Sequence, residues 1–295
     1  MKVLNIDVPD ALLRQWQEWL APDVQPFFLT EQEAAALPRT PTHHSTPVLR
    51  GAPPLVTNPH ALRDTFAVWR IDSDLLPVWL NEGEFNSLPK RTRARIVRAQ
   101  VAHGRDAVPT VRQWSDLFDA GRLRAQADGH RFVWWPSLIA ERPQDVLQRV
   151  ISEVHAPSSH KEVSAQTWSR CAHVLPAAQS LACTFAAGSG PNCFGTVMAA
   201  AGVPNAEEVW MHNETFDEWL SATTTRGGDY RTPGTILVWR NTLGMALHAA
   251  VTIGDGWALE KRSQAWSRPR SIHPVADVIK AARSNGEHLE RHTLR

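Results

Sequence analysis

The sequence predicts an α+β fold, and three observations lead there. Leu12, Leu13, Trp16, Trp19 and Leu20 recur at helical spacing over residues 10–20, and Arg91–His103 carries another helical pattern ended by Gly104. Thr235-Ile236-Leu237-Val238-Trp239 and Leu247-His248-Ala249-Ala250-Val251-Thr252-Ile253 are short runs rich in β formers. Gly254-Asp255-Gly256 is a hairpin-type turn, with Trp257-Ala258-Leu259-Glu260-Lys261 as the returning strand. Helices first and antiparallel strands afterwards is an α+β layout.

The 295 residues are 43% hydrophobic and 21% charged, a globular balance with chain enough for a sizeable core and two domains. A formal net charge of +1 supplies no whole-protein field to gather nucleic acid or an anionic membrane, so function is sought in a site. Three cysteines, at 171, 183 and 193, have no framework-like spacing and fit free thiols in a reducing compartment. Cys171 and His173 lack the second pair that a metal site needs, and neither metal nor cofactor is expected. Acids and a proline interrupt residues 1–10 where a signal peptide needs an apolar core. No segment approaches the roughly twenty apolar residues of a membrane span, so the expected location is the cytoplasm, with no membrane partner.

Taken in order, residues 10–20 form a helix with Asp10 as its cap, and residues 38–59 crowd prolines with Thr, His and Gly into an irregular connector. Helical patterning resumes over Ala61–Trp69, Leu75–Leu80 and Val111–Phe118, and His130-Arg131-Phe132-Val133-Trp134-Trp135 reads as a strand. Lys90-Arg91-Thr92-Arg93-Ala94-Arg95-Ile96-Val97-Arg98 meets no acid until Asp106. Two helices, a strand and that basic face outline a winged-helix-like nucleic-acid module, but with a near-neutral overall charge a solvated face is the preferred explanation of the charge run, and nucleic acid is not the expected partner. Leu138–Val154 reads as helix and Ala156–His160 as a polar hinge. The boundary is placed there, with 1–155 a mainly helical, Trp-rich domain whose Trp16, Trp19, Trp69 and Trp79 pack in its core, and 156–295 a second domain. Beyond the hinge, Val163–Leu181 is helical, Val209–Leu220 helical or mixed, and Thr223–Pro233 a loop.

In the second domain Gly188-Ser189-Gly190-Pro191-Asn192 gives way at once to Cys193-Phe194-Gly195-Thr196-Val197-Met198-Ala199-Ala200-Ala201. That is a loop becoming a helix, with Asn192 as N-cap and Cys193 in the first turn. Unsatisfied N–H groups and the dipole at a helix N-terminus favour a thiolate. His248 and Glu260 stand on either side of the Gly254-Asp255-Gly256 turn, and a tight turn with a bulge leaves both on one sheet face. A carboxylate beside an imidazole fixes its tautomer and stabilises the imidazolium. Cys193, His248 and Glu260 are therefore the types required for a thiol nucleophile, its general base and the base's orienter.

This order of helix-borne Cys, strand-borne His, Gly-Asp-Gly turn and third polar residue resembles the NlpC-type papain-like cysteine peptidases. His248-Ala249-Ala250-Val251-Thr252-Ile253-Gly254-Asp255-Gly256-Trp257-Ala258-Leu259-Glu260 follows that family's His motif position by position. Pro233-Gly234-Thr235-Ile236-Leu237-Val238-Trp239 resembles its Pro-Gly strand, and Arg268-Pro269-Arg270-Ser271-Ile272 sits where a last strand often falls. The likeness covers about residues 175–275. Asn192-Cys193-Phe194-Gly195 departs from the family's Asp-Cys-Ser-Gly, and Glu260 is closer to the related CHAP amidases, which use Glu. The resemblance implies a papain-like core, with the Cys193 helix packed on an antiparallel sheet carrying His248. It implies amide hydrolysis through a thioester acyl-enzyme, in the family within bacterial cell-wall peptides, with a peptide or muropeptide as partner. The Cys193 backbone N–H is then one oxyanion donor, and Asn192 positions it. An acyltransferase or thioesterase with the same residues, or a binding protein that keeps the core without turnover, are the alternatives. Cys183 reads as structural, His43, His44, His273, His288 and His292 as solvated, and Asp255 as a turn residue.

Overall fold

The computed structural model describes residues 1–37, 59–282 and 286–295, so the connector expected over 38–59 lies outside the described residues except at its last position. The fold is α+β. Contacts divide the chain into two units, residues 9–149 and residues 1–8 together with 150–295. The hinge expected at 156–160 lies inside the second unit, because Ser159 N–H donates to the Ile272 carbonyl (2.8 Å) and Ile272 N–H to Ser158 Oγ (2.9 Å). The first eight residues form the short hairpin β1 (Lys2–Val3) and β2 (Ile6–Asp7). Among the described residues no helix is long and apolar enough to cross a membrane.

In the unit of residues 9–149, α1 (Asp10–Leu20) buries Leu13, Trp16 and Leu20. Its N-cap is Pro9, so Asp10 is a first-turn residue facing the helix dipole and not the expected cap. Strand β3 (Val24–Leu29) pairs antiparallel with β4 (Leu76–Asn81), the latter where helical patterning was expected. A six-residue apolar run is too short for periodicity to separate strand from helix, and the apolar face of β3 decides it. Helices α2 (Glu31–Ala35), α3 (Pro59–Thr65), α4 (Glu82–Ser87), α5 (Lys90–Ala102), α6 (Val111–Trp114) and α7 (Ala120–Gln126) follow. The helix expected over 138–154 is two, α8 (Pro136–Ile139) and α9 (Pro143–Ser152), since Pro143 cannot continue a helix but suits the start of one. Residues 130–135 are not a strand. Arg131 makes one isolated bridge to Thr110, and Phe132, Val133, Trp134 and Trp135 are fully buried, Trp134 edge-on to Trp114 at 4.6 Å. The winged-helix outline is therefore absent here. On α5, Arg93 is committed to the carbonyls of Asn86, Leu88 and Ala125, while Arg91, Arg95 and Arg98 are solvated. Trp16 is in the core, but Trp69 is 51% exposed, contrary to its expected place.

The second unit holds the sheet. Helices α10 (Ala165–Ala172) and α11 (Ala178–Leu181) replace the single helix expected over 163–181, with Pro176 between them. Then come α12 (Cys193–Ala200), α13 (Asn213–Thr223) and α14 (Val275–Ala282). The six described strands of the sheet are β5 (Thr224–Arg226), β6 (Thr235–Arg240), β7 (Ala246–Gly254), β8 (Trp257–Glu260), β9 (Ser271–Pro274) and β10 (His288–Leu294). Their order is β5-β10-β6-β7-β8-β9, antiparallel throughout. Ile236, Val238, Ala249, Val251, Ile253 and Leu259 pack with α12, while Leu237, Trp239, Ala250 and Ala258 pack with α14 on a second core. His273 and His292 are buried rather than solvated, His292 lying 3.4 Å from Thr224 Oγ1 across the β5–β10 pair. Polar sequence hides β5 and β10: Thr-Thr-Arg and His-Leu-Glu-Arg-His-Thr-Leu carry little β signal of their own.

Candidate active site

Helix α12 begins as expected. Asn192 is its N-cap, the side-chain Oδ1 accepting from Gly195 N–H at 3.1 Å. The Asn192 Nδ2 donates to the Met211 carbonyl at 2.7 Å, which ties the start of the helix to the segment entering α13. Asn192 thus caps the helix with its oxygen and fixes the helix start to a neighbouring segment with its nitrogen. Cys193 is the first helical residue, 6% exposed, and its backbone N–H belongs to the opening turn that has no intrahelical acceptor. Asn192→Ala should cost about 1–2 kcal/mol in chemical denaturation, since a cap and a tertiary bond go together.

The β7–β8 hairpin sets the other two residues. Ala250 faces Glu260, Val251 faces Leu259, Thr252 faces Ala258, and then Gly254 faces Trp257, so Ile253 is an extra residue on β7. With that bulge His248 and Glu260 fall on the same face, diagonal to one another. Gly254, Asp255 and Gly256 turn the chain with positive φ (104°, 53° and 83°). Asp255 is the turn residue expected, and it also accepts from Thr167 Oγ1 (2.5 Å) and from Arg170, which anchors the turn to α10. At the far end Trp239 faces His248 while Arg240 faces Ala246, leaving Leu247 as a second extra residue directly before the histidine. Bulges of this kind redirect side chains beside sites. The Trp239 ring lies 5.2 Å from the imidazole at 40° and forms one wall for it.

His248 Nε2 stands 3.4 Å from Glu260 Oε2. Glu260, 2% exposed, also accepts on Oε1 from Arg262 Nε at 2.8 Å. Nε2 faces the carboxylate, and Cys193 acts on the same imidazole through its charge and a side-chain hydrogen bond. Burial pushes the imidazole pKa down, but the charge and hydrogen bond of Cys193 and those of Glu260 outweigh it and hold His248 up at about 10. For Glu260, burial works against the charge, yet His248 and Arg262 keep its carboxyl below the ordinary value.

No protein-family model, curated protein or solved structure matches this chain. The site therefore stands on its own geometry.

That geometry separates the three thiols. Burial pushes Cys171 up to about 11. Cys183, expected to be structural, is half-buried with φ +61° and its Sγ lies 2.8 Å from His160 Nδ1. It is off any helix, no carboxylate pairs with His160 among the described residues, and burial raises its thiol pKa. Among the described residues no group of three His, Cys, Asp or Glu side chains is placed to hold a metal ion. Iodoacetamide at pH 7.5 should accordingly alkylate Cys193 about tenfold or more faster than Cys171 or Cys183, read by peptide mass spectrometry. Sequence reasoning missed Trp239 and Arg262. Arg262 was findable, because two residues beyond Glu260 on an extended chain is the same side of the strand.

Proposed function

We propose that this protein is a cysteine hydrolase that cleaves an amide bond through Cys193, His248 and Glu260. One observation carries the reading: His248 sits between a helix-terminal sulfur and a buried, doubly held carboxylate. In the proposed cycle the Cys193 sulfur attacks the amide carbon, and the Cys193 N–H supports the oxyanion. His248 protonates the departing amine, leaving a thioester; it then takes a proton from water, whose oxygen attacks the thioester and restores the thiol. Glu260 holds the ring through Nε2, and Arg262 holds Glu260. The arrangement of α12 on an antiparallel sheet supports a papain-like core of the NlpC type, and that likeness points to peptides of bacterial cell wall as the substrate class.

The test is incubation of wild type and Cys193→Ala with muropeptides, acyl-thioesters and a peptide library, with products identified by mass spectrometry. New amine and carboxylate ends from the wild type alone support hydrolysis, whereas identical product profiles would overturn it. Glu260→Gln keeps the shape but loses the charge that stabilises the imidazolium, so kcat/KM should fall about a hundredfold and leave a measurable residual rate.

A further inference from the structure

A small cleft opens beside Glu260, walled by His155, Arg262, Arg268 and His273. Its charge is unbalanced. Arg262 and Arg268 border it with Lys261 close by, and Glu260 is the one carboxylate on its wall. That carboxylate is already held by Arg262 and faces His248. Among the described residues no carboxylate forms an ion pair with Arg268, whose Nη1 reaches the Val154 carbonyl at 3.4 Å. The His155 Nδ1 meets that same carbonyl at 2.6 Å, while its Nε2 is buried with no hydrogen-bond partner.

We propose that this cleft is an anion subsite that takes a carboxylate of the substrate alongside the triad. The inference rests on the hydrolase reading and deepens it by naming the substrate as one bearing a free carboxylate. A guanidinium without a carboxylate partner is a donor such a group requires, and the buried, partnerless Nε2 becomes a second once it is protonated, giving charge-assisted bonds of the strong kind. Burial, then repulsion from Arg268, Arg262 and Lys261, pushes His155 down to about 4, as expected of a ring inside an uncompensated positive field. Entry of an anion relieves that field and lets Nε2 take a proton and donate. The cleft is small, with about 20 Å³ of space, room for one or two water molecules, which suits the flat head of a carboxylate better than a tetrahedral phosphate.

The full chain can be titrated with glutarate and with its uncharged twin glutaramide while the His155 imidazole is followed by NMR, its signal assigned by His155→Gln. Glutarate should raise the His155 pKa saturably by about one unit or more, and glutaramide should not. Arg268→Gln should weaken glutarate at least about tenfold, while Arg268→Lys retains part of the binding. Equal effects of glutarate and glutaramide, or undiminished binding in a folded Arg268→Gln, would overturn the subsite. Iodoacetamide labelling of Cys193 in the same samples reports on the triad separately. A thiol that fails to label defeats the hydrolase reading without touching the His155 result, and a labelled thiol with an unresponsive His155 defeats the subsite alone.

Discussion

Replacing His248 with alanine is expected to lower kcat/KM about a thousandfold or more on whatever amide the wild type cleaves, and to slow alkylation of Cys193 as well. The two losses have one origin. In the proposed cycle the imidazole carries the proton for both half-reactions, and as imidazolium it would be the counter-charge to the Cys193 sulfur. Removing Glu260's charge leaves the ring in place, but removing the ring leaves the sulfur alone and Glu260 with Arg262 as its remaining partner. A melting curve separates this from unfolding: the midpoint should fall, because the partners that hold the imidazolium also stabilise the fold, so the rates are compared at a temperature where the variant is still folded. Turnover undiminished in His248→Ala would remove the imidazole from the mechanism.

The same group sets a pH limit. His248 is held up at about 10 against an ordinary value of 6.5, so its contribution to folding stability is complete below about pH 6.5 and lost as pH rises through 10. In the proposed cycle its capacity to protonate a leaving amine disappears over that upper range too. The basic limb of the kcat profile should therefore fall near pH 10 in the wild type, and a limb centred near 6.5 would show that the sulfur and carboxylate do not act on the ring.

The parts of the fold that were legible in sequence are those whose signal is local. Asn192 before Cys193 is a cap in any context, and Gly254-Asp255-Gly256 turns a chain wherever it occurs, so the placement of thiol, imidazole and carboxylate could be anticipated from spacing. What failed depended on partners distant in sequence. Leu76–Asn81 is a strand because Val24–Leu29 lies beside it, and polar β10 is a strand because β5 and β6 flank it on both edges. Residues 132–135 have strand-forming side chains but no strand neighbour, so they bury as extended coil. Arg262 and the cleft around His155 were invisible for the same reason, since the cleft draws on residues more than a hundred positions apart.

Gly195→Ala tests whether the thiol's helix is packed as closely as the site requires, because two physical effects oppose one another there. Helix propensity alone predicts stabilisation: alanine in place of glycine within a helix gains roughly 1 kcal/mol. Packing predicts the reverse. A Cβ on Gly195 would stand 2.2 Å from the Ala206 carbonyl oxygen and 3.4 Å from that of Val209, and both are backbone atoms that cannot swing aside as a flexible side chain would. Overpacking of this kind costs about 3 kcal/mol, so a net loss of about 2 kcal/mol is expected in chemical denaturation. The helix must move away from the 206–208 turn to relieve the clash, and Cys193 is two residues from the displaced position and Asn192 three, its cap bond ending on Gly195 itself. Alkylation of Cys193 should therefore slow even in the fraction that remains folded. A variant that is instead more stable than wild type by the propensity gain, with Cys193 as reactive as before, would mean that α12 does not approach this turn, and the positioning of the sulfur would then need another cause.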